Sequence, residues 1–314
     1  MTNQLNPLLC DIETGMCEIP DMQENKHALA GVEPTQKPLK VIYYTDPICS
    51  SCWGIEPQLR KLKLEYGKIL DMDYRMGGLL PDWSYNSGGI SKPSDVAHHW
   101  DEVSRYYDMP IDGDVWLEDP MNSSYPPSIA FKAAQLQDKY KAIEFLRELR
   151  ELLFLHKKNI NKWEPMAKAA EAAGLNVDQL KADYESTAKA LFQEDLQLAR
   201  ELGVRGFPSI FFVDESGNRE FVYGSKPYSA YENAIQKLLP TAKKSAYDTT
   251  WRGLFSKFKT LTAKEFSVLS EMDRQESEQF LEGTVSMVMD HQAKMIYACY
   301  SPRTHSVPLD YVAK

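Results

Sequence analysis

No apolar run in this 314-residue chain approaches the roughly 20 residues needed to cross a bilayer. Positive charge is also in short supply: 36 lysines and arginines stand against 45 aspartates and glutamates, a net charge of -9. That balance argues against a general nucleic-acid or anionic-membrane binder, because phosphate surfaces would repel it. The opening "MTNQLNPLLCDIETGMCEIP" lacks a basic start and a long apolar core, so no secretory signal is expected there. Cysteine is scarce as well: Cys10, Cys17, Cys49, Cys52 and Cys299 are too few and too spread for a disulfide-stapled secreted domain. Internal repeats and low-complexity tracts are missing. What remains is a globular chain expected in the cytoplasm, with neither nucleic acid nor membrane among its partners. Its length suits one main domain with a small appendage.

Residues 1–38 mix polar residues with Pro7, Pro20, Pro34 and Pro38 without sustained periodicity, which predicts a flexible leader. "LKVIYYTD" (39–46) has the apolar, β-branched and aromatic character of a buried strand. It runs into "PICSSCWGIEP", after which Ile55, Leu59, Leu62 and Tyr66 recur at helical spacing up to Gly67. "ILDMDYRMGGLL" (69–80) alternates as a second strand, so the start reads as a βαβ unit with parallel strands. From about 94 to 203 the pattern is helical almost throughout. "SIFFVDESGNREFVYG" (209–224) then predicts a hairpin around a Gly-Asn turn, followed by a helix that stops at Pro240. The main domain, 39–240, is therefore β-α-β, a helical insertion, then β-β-α. Beyond it, 241–314 predicts a linker and a small module. Its two short helices carry capping boxes, Thr262 with Glu265 and Asp273 with Glu276. "TVSMVMDHQAKMIYACY" (284–300) predicts a hairpin after them, completing a helix-turn-helix with a wing.

The chemistry centres on Cys49 and Cys52. A thiol attacks a disulfide only as thiolate, and a helix start favours negative charge, so Cys49 is expected to be the nucleophile with a lowered pKa. Cys52, one turn along, is expected to be the buried resolving thiol. Trp53 would shield one side, and Pro57 can kink the helix. Asp46, three residues before Cys49, is a candidate for proton transfer and equally a cap for the Asp46-Pro47 turn. "GVRGFPSIFF" (203–212) places Pro208 directly before a strand and after a glycine turn, where a cis Phe207-Pro208 bond is expected. Phe207 would then offer its backbone to a substrate strand, which makes Phe207 and Trp53 the candidate substrate contacts.

"CSSCW" at a strand-to-helix turn, a long helical insertion, and "GVRGFPS" before a hairpin together resemble the DsbA family of thioredoxin-fold proteins, over roughly 39–240. The resemblance implies a thioredoxin fold, Cys49 as nucleophile, Cys52 as resolving thiol and a cis Pro208. "DPICSSCWGIEP", "GDVWLEDP", "IAFKAAQLQ" and "LLFLHKKNI", with the "LTAKEFSVLSEM" tail, look narrower still, like the SpxH/YjbH group of cytosolic DsbA-like adaptors. That group hands the regulator Spx to the ClpXP protease. The leader here has Cys10 and Cys17 with six residues between them, where that group would carry a His/Cys-rich metal-binding stretch.

Rival chemistries are weaker. A zinc site needs four ligands, and only Cys10 and Cys17, with His27, could join Cys49 and Cys52. These two leader cysteines are weak metal candidates, and read more simply as solvent thiols or a regulatory disulfide. His98-His99 beside Trp100 reads as packing. The tail pattern invites a DNA-binding assignment, but 262–283 holds two basic residues against six acidic ones, which favours a partner platform. A glutathione-using isomerase of related fold typically carries serine where Cys49 stands. The expected function is thus a thiol–disulfide oxidoreductase without a cofactor, acting on protein substrates. The alternative is a non-enzymatic adaptor that binds a client regulator such as Spx for the ClpXP protease.

Overall fold

The computed structural model describes residues 10–11, 16–18, 37–84, 92–291 and 298–300, with side chains described over 37–84 and 92–284. The expectations attached to Pro7, Pro20, Pro34 and His27 lie outside the described residues, as do the side chains of Cys10, Cys17 and Cys299. Two short strands, β1 (Cys10–Asp11) and β2 (Met16–Glu18), lie in the leader. They are too brief to show alternation, so the sequence reads as unstructured a segment that in fact pairs with a distant strand.

The central strand is β3 (Leu39–Thr45), buried along its whole length. Neighbours on both sides and layers on both faces explain why it reads as a continuous apolar run. It continues into α1 (Ser50–Gly54) and α2 (Glu56–Tyr66), which break at Ile55, with Pro57 in the first turn of α2. The missing proline N–H costs nothing at a helix start, so the predicted kink becomes a clean restart. β4 (Leu70–Met76) returns parallel to β3, with Val41 opposite Met72 and Thr45 opposite Met76.

Seven described helices then intervene: α3 (Pro93–Tyr107), α4 (Val115–Glu118), α5 (Tyr125–Gln137), α6 (Lys139–Phe154), α7 (Trp163–Ala172), α8 (Val177–Glu185) and α9 (Ala188–Glu201). The chain re-enters the sheet through β5 (Gly206–Phe207), β6 (Ser209–Asp214) and β7 (Arg219–Tyr223), and α10 (Tyr228–Leu238) covers it. The sheet order is β4-β3-β6-β7, with β6 antiparallel to β3 and to β7. Asp214 builds the hairpin turn by accepting hydrogen bonds from the Ser216 and Asn218 amides at 2.9 and 2.8 Å. This is a thioredoxin fold with a long helical insertion.

The tail holds α11 (Trp251–Phe255), β8 (Thr260–Thr262), α12 (Ala263–Ser270), α13 (Arg274–His291) and β9 (Ala298–Tyr300). Among the described residues of 284–300, the predicted hairpin and wing do not form. Residues 284–291 extend α13, and β9 pairs in parallel with β8. Val285 and Val288 give this stretch a strand-like composition, yet continuation from Arg274 supplies backbone partners without a new turn. The Thr262–Glu265 capping box forms as predicted. At Asp273 the carboxylate caps the Gln275 and Glu276 amides. The tail has a small core of its own around Leu254, Leu261, Phe266 and Leu269.

Charge clasps that core to the main domain. Glu265, fully buried, receives Arg147 at 2.7 and 3.0 Å and lies 3.2 Å from the Arg60 guanidinium. Burial alone would raise Glu265, but the Arg147 and Arg60 charges outweigh it and hold the carboxyl below its ordinary value. A depressed acid stabilises the fold above its unfolded pKa, and the contribution fades as pH falls through the folded value. Glu265→Ala should therefore cost about 3 kcal/mol at neutral pH, because two buried cations lose their shared carboxylate while Arg147 keeps Glu151 and Arg60 keeps the Thr260 carbonyl. Urea unfolding across pH measures this, and the deficit should shrink on the acid side.

Candidate functional site

The site forms where β3 ends. Asp46 turns the chain, its carbonyl accepting the Cys49 amide at 3.2 Å and its carboxylate the Ile48 amide at 3.0 Å. Cys49 follows as the N-cap of α1, and its sulfur accepts the Cys52 amide at 3.2 Å. The two cysteines are not joined by a disulfide, and their side chains lie within hydrogen-bonding reach of each other. On the far side, β6 brings up the second motif: Tyr44 faces Ser209, so the same register carried one step further sets Pro208 against Thr45. The Phe207-Pro208 peptide is cis, as the sequence predicts. CxxC and "GFPS", some 150 residues apart in sequence, meet at one turn.

Arg150 is the residue that sequence reasoning missed. Its side chain, with no exposed surface, reaches this turn from α6. It donates to Glu56 Oε1 at 2.6 Å, to Thr45 Oγ1 at 2.6 Å and to the Asp46 carbonyl at 3.2 Å. Thr45 passes its own hydroxyl to Tyr43 Oη at 3.1 Å. The available signal was a lone cation inside the apolar stripe Phe145, Leu146, Leu149, Leu153, where a solvent-facing arginine would not sit.

This environment acts on the two thiols in opposite directions. Burial, and then the hydrogen bond to Cys52, push the Cys49 thiol well above its ordinary value. Burial alone would raise Cys52 too. Hydrogen bonds from Cys49, Thr45 and Tyr43, with the Arg150 charge, bring it below the usual thiol range instead. The lowered pKa expected at Cys49 thus falls on Cys52. The helix start is only one turn long, and the arginine and hydroxyls gather at Cys52.

Accessibility differs as well, since neither cysteine exposes any surface. Trp53 cannot be the expected substrate contact. It is fully buried, donates Nε1–H to the Pro110 carbonyl at 3.0 Å, stacks on Phe154 and lies 4.3 Å from the Arg147 guanidinium. Its role is to bind α1 to the insertion. Phe207 likewise turns its ring inward, into the space a side chain at Gly77 would occupy, and its main chain pairs with Cys17 of β2. Asp46 accepts from the Leu79 amide and the Ser124 hydroxyl, both at 2.8 Å, in addition to Ile48. Among the described residues no group of three or more histidines, cysteines or acids could hold a metal. His99 is buried in α3 and His98 exposed.

Comparison with known proteins adds findings of three kinds, from family profiles, relatives and solved structures. A family profile described as thioredoxin matches residues 43–233. Another, described as N,N dimethylarginine dimethylhydrolase, eukaryotic, matches 252–314, a small part of the chain. The chain is 34% identical over 294 residues to the ClpXP adapter protein SpxH of Halalkalibacterium halodurans, covering 91% of this chain and 94% of that protein. Its similarity to the SpxH of Bacillus subtilis is 30% over 249 residues, 77% and 82% of the two chains. Among solved structures, the cytosolic disulfide reductase DsbM from Pseudomonas aeruginosa matches with a TM-score of 0.52 at 20% identity, over 65% of this chain and 100% of that one. That likeness is one of fold.

Two outcomes test the site. In Arg150→Met the ultraviolet thiolate absorbance of the CxxC pair should titrate at least about 1 pH unit higher, the scale set by a nearby opposite charge. Burial raises Asp46 to about 6, so the folded state holds this proton more tightly than the unfolded chain does. Its contribution is full below the unfolded pKa near 4 and is lost as pH rises through about 6. Asp46→Asn should flatten that stretch of the stability–pH curve by about 2–3 kcal/mol, read by chemical denaturation.

Proposed function

This chain belongs to the SpxH family of thioredoxin-fold proteins, and from that premise we propose that it works as an adaptor, holding a client protein for a ClpXP-type protease. The observation that carries the reading is the enclosure of the dithiol. A cysteine without exposed surface cannot attack a disulfide on another protein while the fold stays as it is. Recognition then rests on surface anchors, with the helical insertion and the acidic tail as candidate surfaces. The tail's charge suits a basic client, and a regulator of the Spx type is the natural candidate. Thiol–disulfide exchange, the first expectation from sequence, becomes the second reading. What favours it is the lowered pKa of Cys52 beside Arg150. In that reading Asp46 would take up a proton as the pair reacts.

A reconstituted degradation assay with ClpXP and Spx separates the two. Cys49→Ser/Cys52→Ser should stimulate client degradation as the unaltered chain does, and a chain ending after Pro240 should lose the stimulation. If the double serine form fails while its fold is intact, exchange is the main activity. Cys52→Ser should then also trap mixed disulfides on Cys49.

A further inference from the structure

Four parts of the chain, α2, β4, α6 and the tail segment 257–260, leave a cavity of about 390 Å³ between them. Alternation along β4 turns Leu70, Met72 and Tyr74 to this side, and Ile143 and Phe258 complete a mostly apolar wall. The size lies within the roughly 300–1,000 Å³ of small-molecule sites. Most of the charges around it are already matched. Arg60 and Arg147 meet Glu265, Lys139 meets Asp71 at 3.6 Å, and Lys259 meets Glu144 at 3.3 Å. Two cations in the wall are not: Lys63 of α2 and Lys257 of the tail make no ion pair among the described residues. Lys63 is half-buried, and its ammonium is held 4.9 Å from the centroid of the buried Tyr74 ring. Glu148 is the one carboxylate of the wall without an ion pair among the described residues. Burial first, and then the neighbouring Glu151, push it up to about 7, so near neutrality much of it carries no charge.

We propose that this cavity binds a small amphiphilic anion, an apolar body carrying one carboxylate, with Lys63 and Lys257 meeting the charge. An apolar wall calls for an apolar body, and unmatched cations beside a low-dielectric space call for an anion. The balance of the wall agrees. It holds seven lysines and arginines against four glutamates and aspartates, on a chain whose net charge is -9. Walls on four sides favour a small molecule over a polypeptide segment. Because 257–260 forms one of those walls, an occupant would touch the main domain and the tail together. It would brace the tail from a second place, beside the Glu265 clasp. The cavity is distinct from the cysteine turn, and the proposal does not rest on the adaptor reading.

The test uses the full chain and two matched probes, 4-phenylbutyrate and its uncharged counterpart 4-phenylbutanol, titrated by ligand-observed NMR. Phenylbutyrate should bind saturably and more tightly than the alcohol. Lys63→Met/Lys257→Met should weaken it by at least about tenfold, the scale of a lost charged contact, while Lys63→Arg/Lys257→Arg retains it. Saturating phenylbutyrate should slow amide exchange across 257–260 several-fold. Affinity should also rise from pH 8 to pH 6 as Glu148 loses its charge. Glu144, Glu151 and Arg147 on its own helix and Lys259 of the tail face that group, so Glu148→Gln is the control and should remove the pH dependence. No saturable binding up to millimolar concentrations would overturn the proposal, as would exchange slowed only outside the cavity wall. Equal binding of acid and alcohol, indifferent to the lysine variants, would leave an apolar cavity without anion recognition. Weaker binding in Glu148→Gln would make that acid a ligand and the favoured occupant a cation, which also sinks the assignment.

Discussion

A single guanidinium without solvent, that of Arg150, sets the terms for the rest of the molecule. It binds the end of the central strand through Thr45 and Asp46, the start of α2 through Glu56, and the insertion to which it belongs. A buried ion pair is a weak source of net stability, yet losing one partner is severe, because the other charge stays behind uncompensated. The long helical insertion is therefore no ornament on a thioredoxin core. Without α6 the core would carry a buried Glu56 and a cysteine turn lacking the cation that makes a thiolate tolerable.

The same helix has a second allegiance. Arg147, one turn before Arg150, lies over the Trp53 ring and donates to Glu265 of the tail. Arg60 on α2 meets the same carboxylate, and also reaches the Thr260 carbonyl at 2.6 Å. One face of α6 and α2 thus carries a chain of alternating charges, from the cysteine turn to the capping box of α12. The tail is bound by buried polar groups, of which Arg147 also pairs with Glu151 on its own helix at 2.6 Å. The tail is held in one pose and not merely tethered nearby.

Much of this was legible beforehand, for physical reasons that can be named. β3, β4 and the hairpin carry period-two or continuous apolar patterns, and "CSSC" and "GFPS" are local chemistry that needs no distant partner to be read. The Thr262–Glu265 box is equally local. What escaped is what depends on partners far along the chain. Arg150 is a charge on an apolar stripe, justified only by Glu56 and Thr45, about 100 residues away. Trp53 looked like a lid, because sequence cannot tell which side of a one-turn helix faces the insertion. Cys49 looked acidic, because a helix start is visible in sequence and complete burial is not. β1 and β2 are too short to signal at all, and the strand-like composition after Thr284 yields to a helix already under way.

β5 spans only the two residues Gly206–Phe207. An edge of two residues offers at most two or three main-chain hydrogen bonds, each contributing about 0.5–1.5 kcal/mol net. The ladder between Met16–Glu18 and β5 is therefore a small part of what holds the fold together, and the cysteine turn it flanks owes its shape to the buried charges around Arg150.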